Sequence, residues 1–340
     1  MQIAVDAAGG DFAPRNIVDG ALVAARHLGF GLTLVGPQDV LAAELSRHDD
    51  ARLVEVRIVD APEAIGMDES PAAALRQKTA ASVRLAAEVV AGGDAAAFFS
   101  AGNTGATLLA AHAAFGMLRG VDRPALATTI PTLQRQAVLL DAGANVECRA
   151  QHLVQFAAMG RVYARLQLDT EEPRVGLLSI GEEASKGNEL TREAHRLLRS
   201  STLNFIGNVE ARDVYTGKAD VIACDGFTGN IALKISEGLV DVVEELLREE
   251  LNRTFTSSVG LLLSRRAFRR FRRRLDYSEY GGAPLLGVAG LCIVGHGRSS
   301  AKAVRNAVAM AYRLSQEQFV DRVQQEIALL STETVHPTRR

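Results

Sequence analysis

The sequence predicts an α/β fold: a doubly wound, largely parallel β-sheet with helices on both faces. Short, almost wholly apolar runs alternate along the chain with amphipathic stretches, as expected of repeated βαβ units. Many of the runs end at glycine, which suits a turn from a strand into a helix. Because the runs show little polar–apolar alternation, they suit strands that are buried on both faces of a sheet.

In the first half of the chain, apolar runs predict strands and longer stretches with a period of about 3.6 residues predict helices. The alanine-rich stretch is expected to be one continuous helix that ends at a glycine pair. In order, the predictions are the strand QIAV, the helix PRNIVDGALVAARHLG, the strands GLTLVG and VEVRIVDA, the helix PAAALRQKTAASVRLAAEVVAGG, the strand AAAFFSAG and a helix from about Thr104 to Gly116.

The second half continues the same alternation. In order, the predictions are the strands LATTIPT and AVLLDAGA, the helix RAQHLVQFAAMGRVYARLQ, the strand RVGLLSIG, a helix near NELTREAHRLLRS, the strands NFIGNV and DVIACDG, the long helix GNIALKISEGLVDVVEELLREELNR, the strand LCIVGHG and the last helix SAKAVRNAVAMAYRLSQEQF. One large domain is expected over residues 1–330, with a basic helical arm near 250–278. Residues 331–340 are expected to be a disordered tail, because they have little apolar surface to bury.

Composition excludes several classes of function. The net charge of −2 provides no global field for nucleic acid, and the absence of tryptophan disfavours a base-stacking surface. Three cysteines without CxxC spacing, Cys148, Cys224 and Cys292, argue against a disulfide framework or a zinc site. The N-terminus does not resemble a signal peptide, and no apolar run approaches the roughly 18 residues of a membrane span. A cytoplasmic location is therefore expected.

Polar, glycine-rich loops follow four of the predicted strands: AAGGDFAP, SAGNTGAT, IGEEASKGNEL and CDGFTGN. Such turns present backbone N–H groups at the positive end of a helix dipole, which favours anion binding. In doubly wound folds ligands bind outside the carboxyl ends of the strands, so we expect these loops to share one edge of the sheet. The residues expected to cradle phosphate there are Gly9, Gly10, Ser100, Asn103, Thr104, Lys186, Asn188, Thr228 and Asn230.

Each candidate also has a purely structural interpretation. Glycine is often present in a turn only because the turn geometry requires it. Lys186 can be an ordinary solvated side chain, and Asp6 and Asp225 can be helix caps. His296 follows another predicted strand, where a histidine can act as an acid, a base or a hydrogen-bond donor to phosphate. It can equally be a structural turn residue that is hydrogen-bonded to the backbone. Cys224 ends an apolar run, where a thiol is usually inert. Neither GxGxxG nor GxxxxGK[ST] occurs in the loops, so neither a dinucleotide fingerprint nor a P-loop is indicated.

The segment GLLLSRRAFRRFRRRLDY, residues 260–277, differs from the rest of the chain. Seven arginines fall between Arg265 and Arg274, opposite an apolar helical face. This pattern suits an anionic membrane or an acidic protein, with nucleic acid a weaker third option. The structural alternative is an exposed helix that packs on the protein or on another subunit. The expected contact residues are Leu261, Arg265, Arg266, Phe268, Arg269, Arg270 and Phe271.

Taken together, several blocks of the sequence resemble one known family. In chain order they are MQIAVDAAGGDFAP, SAGNTGA, LLDAGANVECRAQHLVQFAAMG, VGLLSIGEEASKGNEL, FIGNVEARD, CDGFTGNIALK and YGGAPLLGVAGLCIVGHG. They resemble the signature blocks of the PlsX-type phosphate acyltransferases of bacterial phospholipid synthesis. Three positions depart from the family pattern: Phe12 replaces a histidine, Ala289 replaces an asparagine, and Arg298 extends the usual HGSS.

The resemblance implies a function. Family members transfer a long-chain acyl group from acyl carrier protein to inorganic phosphate, and a membrane glycerol-3-phosphate acyltransferase then uses the acyl phosphate. They are homodimers, peripheral to the inner face of the membrane, with no metal or organic cofactor. Their fold is similar to those of phosphotransacetylases and isocitrate or isopropylmalate dehydrogenases.

On this interpretation phosphate attacks the thioester directly, so no enzyme nucleophile is needed. The residues expected to bind phosphate and the oxyanion are Asn103, Thr104, Lys186, Asn188, Thr228 and Asn230. Asp225 and His296 are expected to orient groups or handle protons. Three alternatives stay open: a coenzyme A phosphotransacetylase, a decarboxylating dehydrogenase of the same fold, and a catalytically idle membrane scaffold. The dehydrogenase is disfavoured, because no metal-binding acid spacing or dinucleotide motif is present.

Overall fold

The computed structural model describes residues 1–49, 51–253, 264–266, 270–271 and 281–333. Its strands are β1 (Gln2–Asp6), β2 (Gly31–Gly36), β3 (Val56–Asp60), β4 (Ala97–Ser100), β5 (Ala125–Pro131), β6 (Gln136–Leu140), β7 (Val175–Leu178), β8 (Phe205–Val209), β9 (Val221–Ala223), β10 (Ala283–Leu286) and β11 (Cys292–Val294). Its helices are α1 (Arg15–Leu28), α2 (Gln38–Leu45), α3 (Pro71–Gln77), α4 (Ser82–Ala91), α5 (Thr104–Phe115), α6 (Ala150–Leu168), α7 (Glu189–Arg199), α8 (Gly226–Asn252), α9 (Ala301–Gln316) and α10 (Phe319–Glu333), with 3-10 turns at Ala51–Leu53 and Ala211–Tyr215. The tail at 334–340 lies outside the described residues.

The strands form one sheet in the order β3-β2-β1-β4-β11-β10-β5-β6-β9-β7-β8. Seven of the ten neighbouring pairs are parallel, which confirms the predicted largely parallel sheet. Helices cover both faces. On β4, Phe99 joins a core cluster with residues of α1 and α9, whereas the adjacent Phe98 joins a second cluster with residues of α4 and α5. Alternate side chains of a strand point to opposite faces, so a strand covered on both faces is apolar throughout.

The direction of the strands corrects one expectation. The pair β5–β6 is antiparallel, and β6, β9, β7 and β8 therefore run opposite to β1, β2, β3, β4 and β11. The carboxyl ends of β1 and β4 consequently lie at one edge of the sheet, and those of β7 and β9 lie at the other. The expectation that all the polar loops share one edge is wrong. The direction of a strand in the sheet cannot be predicted from an apolar run of residues. The strand direction reverses here because β5 and β6 form an antiparallel hairpin.

Two element predictions also differ from the structure, and two elements were missed. The alanine-rich stretch forms two helices, because Lys78 leaves the helical conformation and donates from Nζ to Ala64 O at 2.8 Å and Glu69 Oε1 at 2.6 Å. The last predicted helix ends at Gln316, and α10 begins beyond Gln318, which has a positive φ of 51°. The sequence reasoning did not predict α2 or β10.

The start of α8 packs tightly against the loop after β6. A Cβ atom added at Gly229 would overlap the carbonyl oxygen of Asp141, and one added at Gly226 would lie 2.7 Å from its Oδ2. Gly238, which follows later in the same helix, has no described atom within 4 Å of such a Cβ position. Gly229 is therefore required by the packing of the helix, whereas Gly238 is not.

This difference predicts opposite effects for the same substitution in one helix. Gly229→Ala should lower the free energy of unfolding by about 1–3 kcal/mol, because the added methyl has no space. Gly238→Ala should raise it by about 0.5–1 kcal/mol, because alanine loses less conformational entropy in a helix. Urea unfolding followed by circular dichroism measures both values. Equal effects at the two positions would contradict this account of how α8 is seated.

Candidate active site

The turns after β1, β4 and β11 contact one another. The backbone N–H of Asp11 donates to Gly297 O at 2.8 Å. Gly10 has a φ of +100° and faces Ala101 O and Gly297 O, where an added Cβ would lie 2.9 Å and 3.1 Å away. A Cβ at Gly9 would lie 3.0 Å from the backbone nitrogen of Gly102. Both glycines are therefore needed for the close approach of these turns.

A buried carboxylate lies beneath this group of turns. Asp6 Oδ2 accepts from the Ser100 hydroxyl at 2.7 Å, and Ser100 Oγ accepts from the N–H of Gly102 at 3.1 Å. Thr107 Oγ1 donates to the same Ser100 oxygen at 3.3 Å. Burial raises the pKa of Asp6, and hydrogen bonds from Ser82, Ser100 and nearby backbone N–H groups lower it by less. Asp6 is therefore an internal support of the turns and not a helix cap.

The predicted phosphate donors on β4 and α5 have defined positions. Ser100 is fully buried and its hydroxyl is committed to Asp6. Asn103 caps α5, because its Oδ1 accepts from Ala106 N at 3.1 Å. Its Nδ2 donates to the carbonyl oxygens of Gly66, Met67 and Glu69. Thr104, the first residue of α5, is exposed. The polar groups at this edge that remain accessible to a ligand are therefore those at the start of α5 and in the glycine turn.

His296 lies on the turn after β11 and faces a cavity of about 1020 Å³. Its Nδ1 accepts from the N–H of Arg298 at 3.2 Å, and its carbonyl oxygen accepts from Ser299 Oγ at 2.6 Å. His296 is thus a turn histidine bonded to backbone, and it is also exposed to the cavity. Phe12 and Arg298, two of the positions that depart from the family pattern, line the same cavity.

A second group of polar residues surrounds Asp141, directly after β6. Its buried carboxylate accepts from the N–H groups of Leu126, Gly143 and Ala144 through Oδ1. Through Oδ2 it accepts from the N–H and the side-chain amide of Asn145, both at 2.8 Å. Sequence reasoning did not single out Asp141. The available signal was an acid after an apolar run and before a glycine, which is the pattern used to select Asp225.

The start of α8 belongs to this second group. Asp225 caps the helix, because its Oδ1 accepts from Thr228 N and its Oδ2 accepts from Thr228 Oγ1, both at 2.8 Å. Asn230 is exposed, and a Cβ added at Gly143 would lie 3.5 Å from its side chain. Cys224 is buried and donates to Asp141 O at 3.5 Å. Burial, reinforced by Asp141 and Asp225, raises the pKa of the Cys224 thiol, so it is disfavoured as a nucleophile.

The loop after β7 lies at the same edge as Asp225. Asn188 caps α7, because its Oδ1 accepts from Thr191 N at 2.9 Å. Lys186 is exposed, and its backbone N–H donates to Glu183 O at 3.0 Å. Asn208 anchors the loop by donating to Glu183 O at 2.9 Å. Lys186 therefore presents a positive charge to solvent from a loop that is held at both ends.

The predicted site residues therefore form two groups at opposite edges of the sheet. The first group lies at the carboxyl ends of β1, β4 and β11 and contains Gly9, Gly10, Ser100, Asn103, Thr104 and His296. The second group lies at the carboxyl ends of β7 and β9 and contains Lys186, Asn188, Asp225, Thr228 and Asn230. Helix α8 links them. It starts at Gly226 in the second group, and Leu233, one turn beyond Asn230, lines the cavity that His296 faces.

The basic arm is only partly described. Arg265, Arg266, Arg270 and Phe271 are exposed, and Phe271 lines the cavity. The other expected contact residues, Leu261, Phe268 and Arg269, lie outside the described residues. In the part of the chain that the structure covers, no helix is both long enough and apolar enough to cross a membrane.

Comparison with known proteins assigns most of the chain to one family. The family model described as "Fatty acid synthesis protein" matches residues 1–322. A protein of Acidobacterium capsulatum named "Phosphate acyltransferase" is 53% identical over 309 residues, 91% of this chain and 92% of the relative. One of the same name from Geobacter sp. strain M21 is 49% identical over 312 residues, 92% of this chain and 88% of the relative.

Solved structures show the same fold. A phosphotransacetylase from Streptococcus pyogenes has a TM-score of 0.63 at 16% identity, over 93% of this chain and 94% of that one. The EutD phosphotransacetylase from Staphylococcus aureus has a TM-score of 0.57 at 15% identity, over 92% and 94%. These likenesses confirm the predicted similarity to the phosphotransacetylase fold.

The buried position of Asp6 predicts a pH-dependent effect on stability. A raised folded-state pKa means that the contribution of Asp6 to stability is complete below its unfolded pKa, near 3.8, and is lost as pH rises through the folded value. Asp6→Asn stays neutral at every pH. The free energy of unfolding of the variant, measured relative to that of the unsubstituted protein, should therefore increase as pH rises from about 4, because only the unsubstituted protein loses stability.

Urea unfolding of both proteins between pH 4 and 8 measures this difference. Asp39→Asn, which removes an exposed carboxylate at the start of α2, controls for the general effect of losing one negative charge. A difference between Asp6→Asn and the unsubstituted protein that stays constant across this range would show that the carboxylate is not destabilised by burial.

Proposed function

The chain belongs to the family described as fatty acid synthesis protein, and from that membership we propose that it is an acyltransferase that transfers an acyl group to inorganic phosphate. The observation that carries the proposal is the identity of about half of all residues, over nearly the whole chain, with proteins named phosphate acyltransferase. The alternative of a coenzyme A phosphotransacetylase has only a shared fold in its favour. An idle scaffold would not require the two polar groups at the strand ends.

The proposed donor is a long-chain acyl thioester of acyl carrier protein, and the proposed product is acyl phosphate for phospholipid synthesis. A phosphate oxygen forms the bond to the acyl carbon, the carbon–sulfur bond breaks, and the thiolate leaves with the carrier and takes up a proton. A thiol has a pKa near 8.5, so this leaving group needs little acid assistance. The raised pKa of Cys224 supports direct attack by phosphate, because that thiol is a poor nucleophile.

The two polar groups supply different kinds of anion contact. Beside the cavity, the glycine turn at Gly9 and Gly10, the start of α5 at Thr104, and His296 offer backbone N–H groups, a helix dipole and an imidazole. At the other edge, Lys186 offers one positive charge, and Asn188, Thr228 and Asn230 offer polar donors from the ends of β7 and β9. Phosphate and the developing oxyanion belong to one reaction centre, so we assign them to one of these two groups, with His296 as the orienting or proton-handling residue in the first group and Asp225 in the second.

The exposed arginines support the proposed carrier and membrane contacts. Arg265, Arg266 and Arg270 are solvent-exposed cations, suited to steering an acidic carrier protein or to resting on the anionic inner face of a membrane. A peripheral position would allow the product to pass to a membrane glycerol-3-phosphate acyltransferase. Acyl phosphate with a long chain is amphipathic, so delivery at the membrane surface suits its chemistry.

An outward apolar stripe on α8 supports the proposed homodimer. The stripe consists of Phe227, Ile231, Ile235 and Val242, which recur at helical spacing, and Ile235 is 65% exposed. The opposite face of α8, at Leu233 and Val240, borders the cavity. A helix that is apolar on both sides is normally covered on both sides. A second copy of the chain would cover the outer stripe through a two-fold contact.

The proposed activity has a direct assay. Purified protein incubated with hexadecanoyl-acyl carrier protein and phosphate should form acyl phosphate, which hydroxylamine traps as the hydroxamate. Formation that depends on phosphate would support the proposal. A folded protein that forms none with a competent carrier would contradict it, and turnover of acetyl-coenzyme A instead would favour the phosphotransacetylase.

The same assay tests the role of Lys186. Lys186→Ala should raise the KM for phosphate by about tenfold or more, because loss of one charge-assisted contact costs roughly 1.5–3 kcal/mol. His296→Ala tests the group beside the cavity in the same way, and Arg52→Ala, which removes an exposed cation far along the chain from both groups, is the control. An unchanged dependence of the rate on phosphate in Lys186→Ala would exclude Lys186 from phosphate binding.

A further inference from the structure

We propose that the cavity between α8 and β5 binds the acyl chain of the substrate and that Val240 limits the length of chain it accepts. This inference rests on the proposed function, because an acyl group is the occupant that function requires. It goes beyond it by assigning a place in the molecule and a residue that determines specificity. Neither the polar loops nor the basic arm requires such a cavity.

The walls of the cavity come from parts of the chain that are far apart in sequence. Residues 128–133 at the end of β5 form one wall, with Ile130 buried. Leu233, Leu239 and Val240 of α8 form the facing wall. A hydrogen bond between the hydroxyl groups of Tyr215 and Ser236 ties α8 to the 3-10 turn beside it. The N–H of Leu133 donates to Tyr215 O at 2.9 Å, so the same turn joins the two walls of the cavity.

The polar groups at the cavity are arranged by charge. His296 and Arg298 reach it from the turn after β11, next to the glycine turn at Gly10. Glu237 and Asp241 reach it from α8. Glu237 is paired with Lys234 at 2.7 Å, so an anionic head group, whether phosphate or a carboxylate, is favoured beside Arg298 and disfavoured chiefly beside Asp241. This asymmetry directs the head group toward the strand-end turns and leaves the apolar walls for the chain.

The size of the cavity fits a chain and exceeds the needs of an anion. Its volume of about 1020 Å³ is at the upper end of the range for small-molecule sites, about 300–1,000 Å³. Phosphate displaces only a few waters, each of about 30 Å³. Apolar walls opposite one another bind methylene groups without specific contacts, so the affinity for a chain should grow with its length until the space is filled.

The chain-length dependence of the reaction tests the assignment. Burial of one methylene contributes about 0.8 kcal/mol, so kcat/KM should rise by up to about fourfold per carbon from butanoyl- to hexadecanoyl-carrier donors. Val240→Trp fills the space between the walls. It should lower kcat/KM for the hexadecanoyl donor at least tenfold and change that for the butanoyl donor less than about twofold. Val40→Trp, at an exposed valine of α2, is the matched control and should behave as the unsubstituted protein.

Three results would overturn the proposal. They are an equal loss of kcat/KM for short and long donors in Val240→Trp, no loss at all in that variant, and no rise with chain length in the unsubstituted protein. Circular dichroism and thermal unfolding of Val240→Trp show whether an equal loss comes from a damaged fold. In that event Val240→Phe, a smaller change at the same wall, repeats the comparison.

Binding of free fatty acids separates this proposal from the proposed function. Calorimetric titration with hexadecanoate and octanoate, below their micelle concentrations, needs no turnover. If no donor gives acyl phosphate but hexadecanoate binds and Val240→Trp weakens it at least tenfold, the proposed function fails and the chain site stands. If hexadecanoate does not bind, or binds both proteins equally, the chain site is wrong whatever the activity.

Discussion

The Asp141 carboxylate is the contact on which the arrangement of this molecule depends. It lies directly after β6, where the sheet has just reversed direction, and accepts five hydrogen bonds from N–H groups of Leu126, Gly143, Ala144 and Asn145. A buried carboxylate is stable only when its oxygens are satisfied in this way. The same residue's backbone limits the space at Gly229, so the position of α8 follows from the loop that Asp141 organises.

Helix α8 in turn connects the two polar groups. Its first turn carries Thr228 and Asn230 at one edge of the sheet, and its middle borders the cavity that His296 faces at the other. A shift of this helix would therefore change the polar group at its start and the apolar wall together. Its outward stripe is apolar and exposed, and this is the surface that we propose a second copy of the chain covers.

Many of the polar side chains that mark the loops are used within the protein. Asn103, Asn188 and Asp225 each cap a helix, and Ser100 binds Asp6. Capping leaves the positive end of the helix dipole in place, while it occupies one or two of the free N–H groups. The structural and the functional interpretations of these residues are therefore compatible, since a well-fixed turn is what a preorganised anion site needs.

The sequence by itself determined the α/β class, most of the strands and helices, and the loops at which polar chemistry is concentrated. These follow from local periodicity and from turn residues such as Gly10, whose positive φ is a property of the residue and its neighbours. The family followed from sequence blocks in the same way. Only the tertiary structure decided strand direction, the division of the polar loops between two edges, the support role of Asp6 and the cavity beside α8. Each of these depends on contacts between residues far apart in the chain, such as Asp6 with Ser100, and no local pattern records which distant partner a side chain will meet.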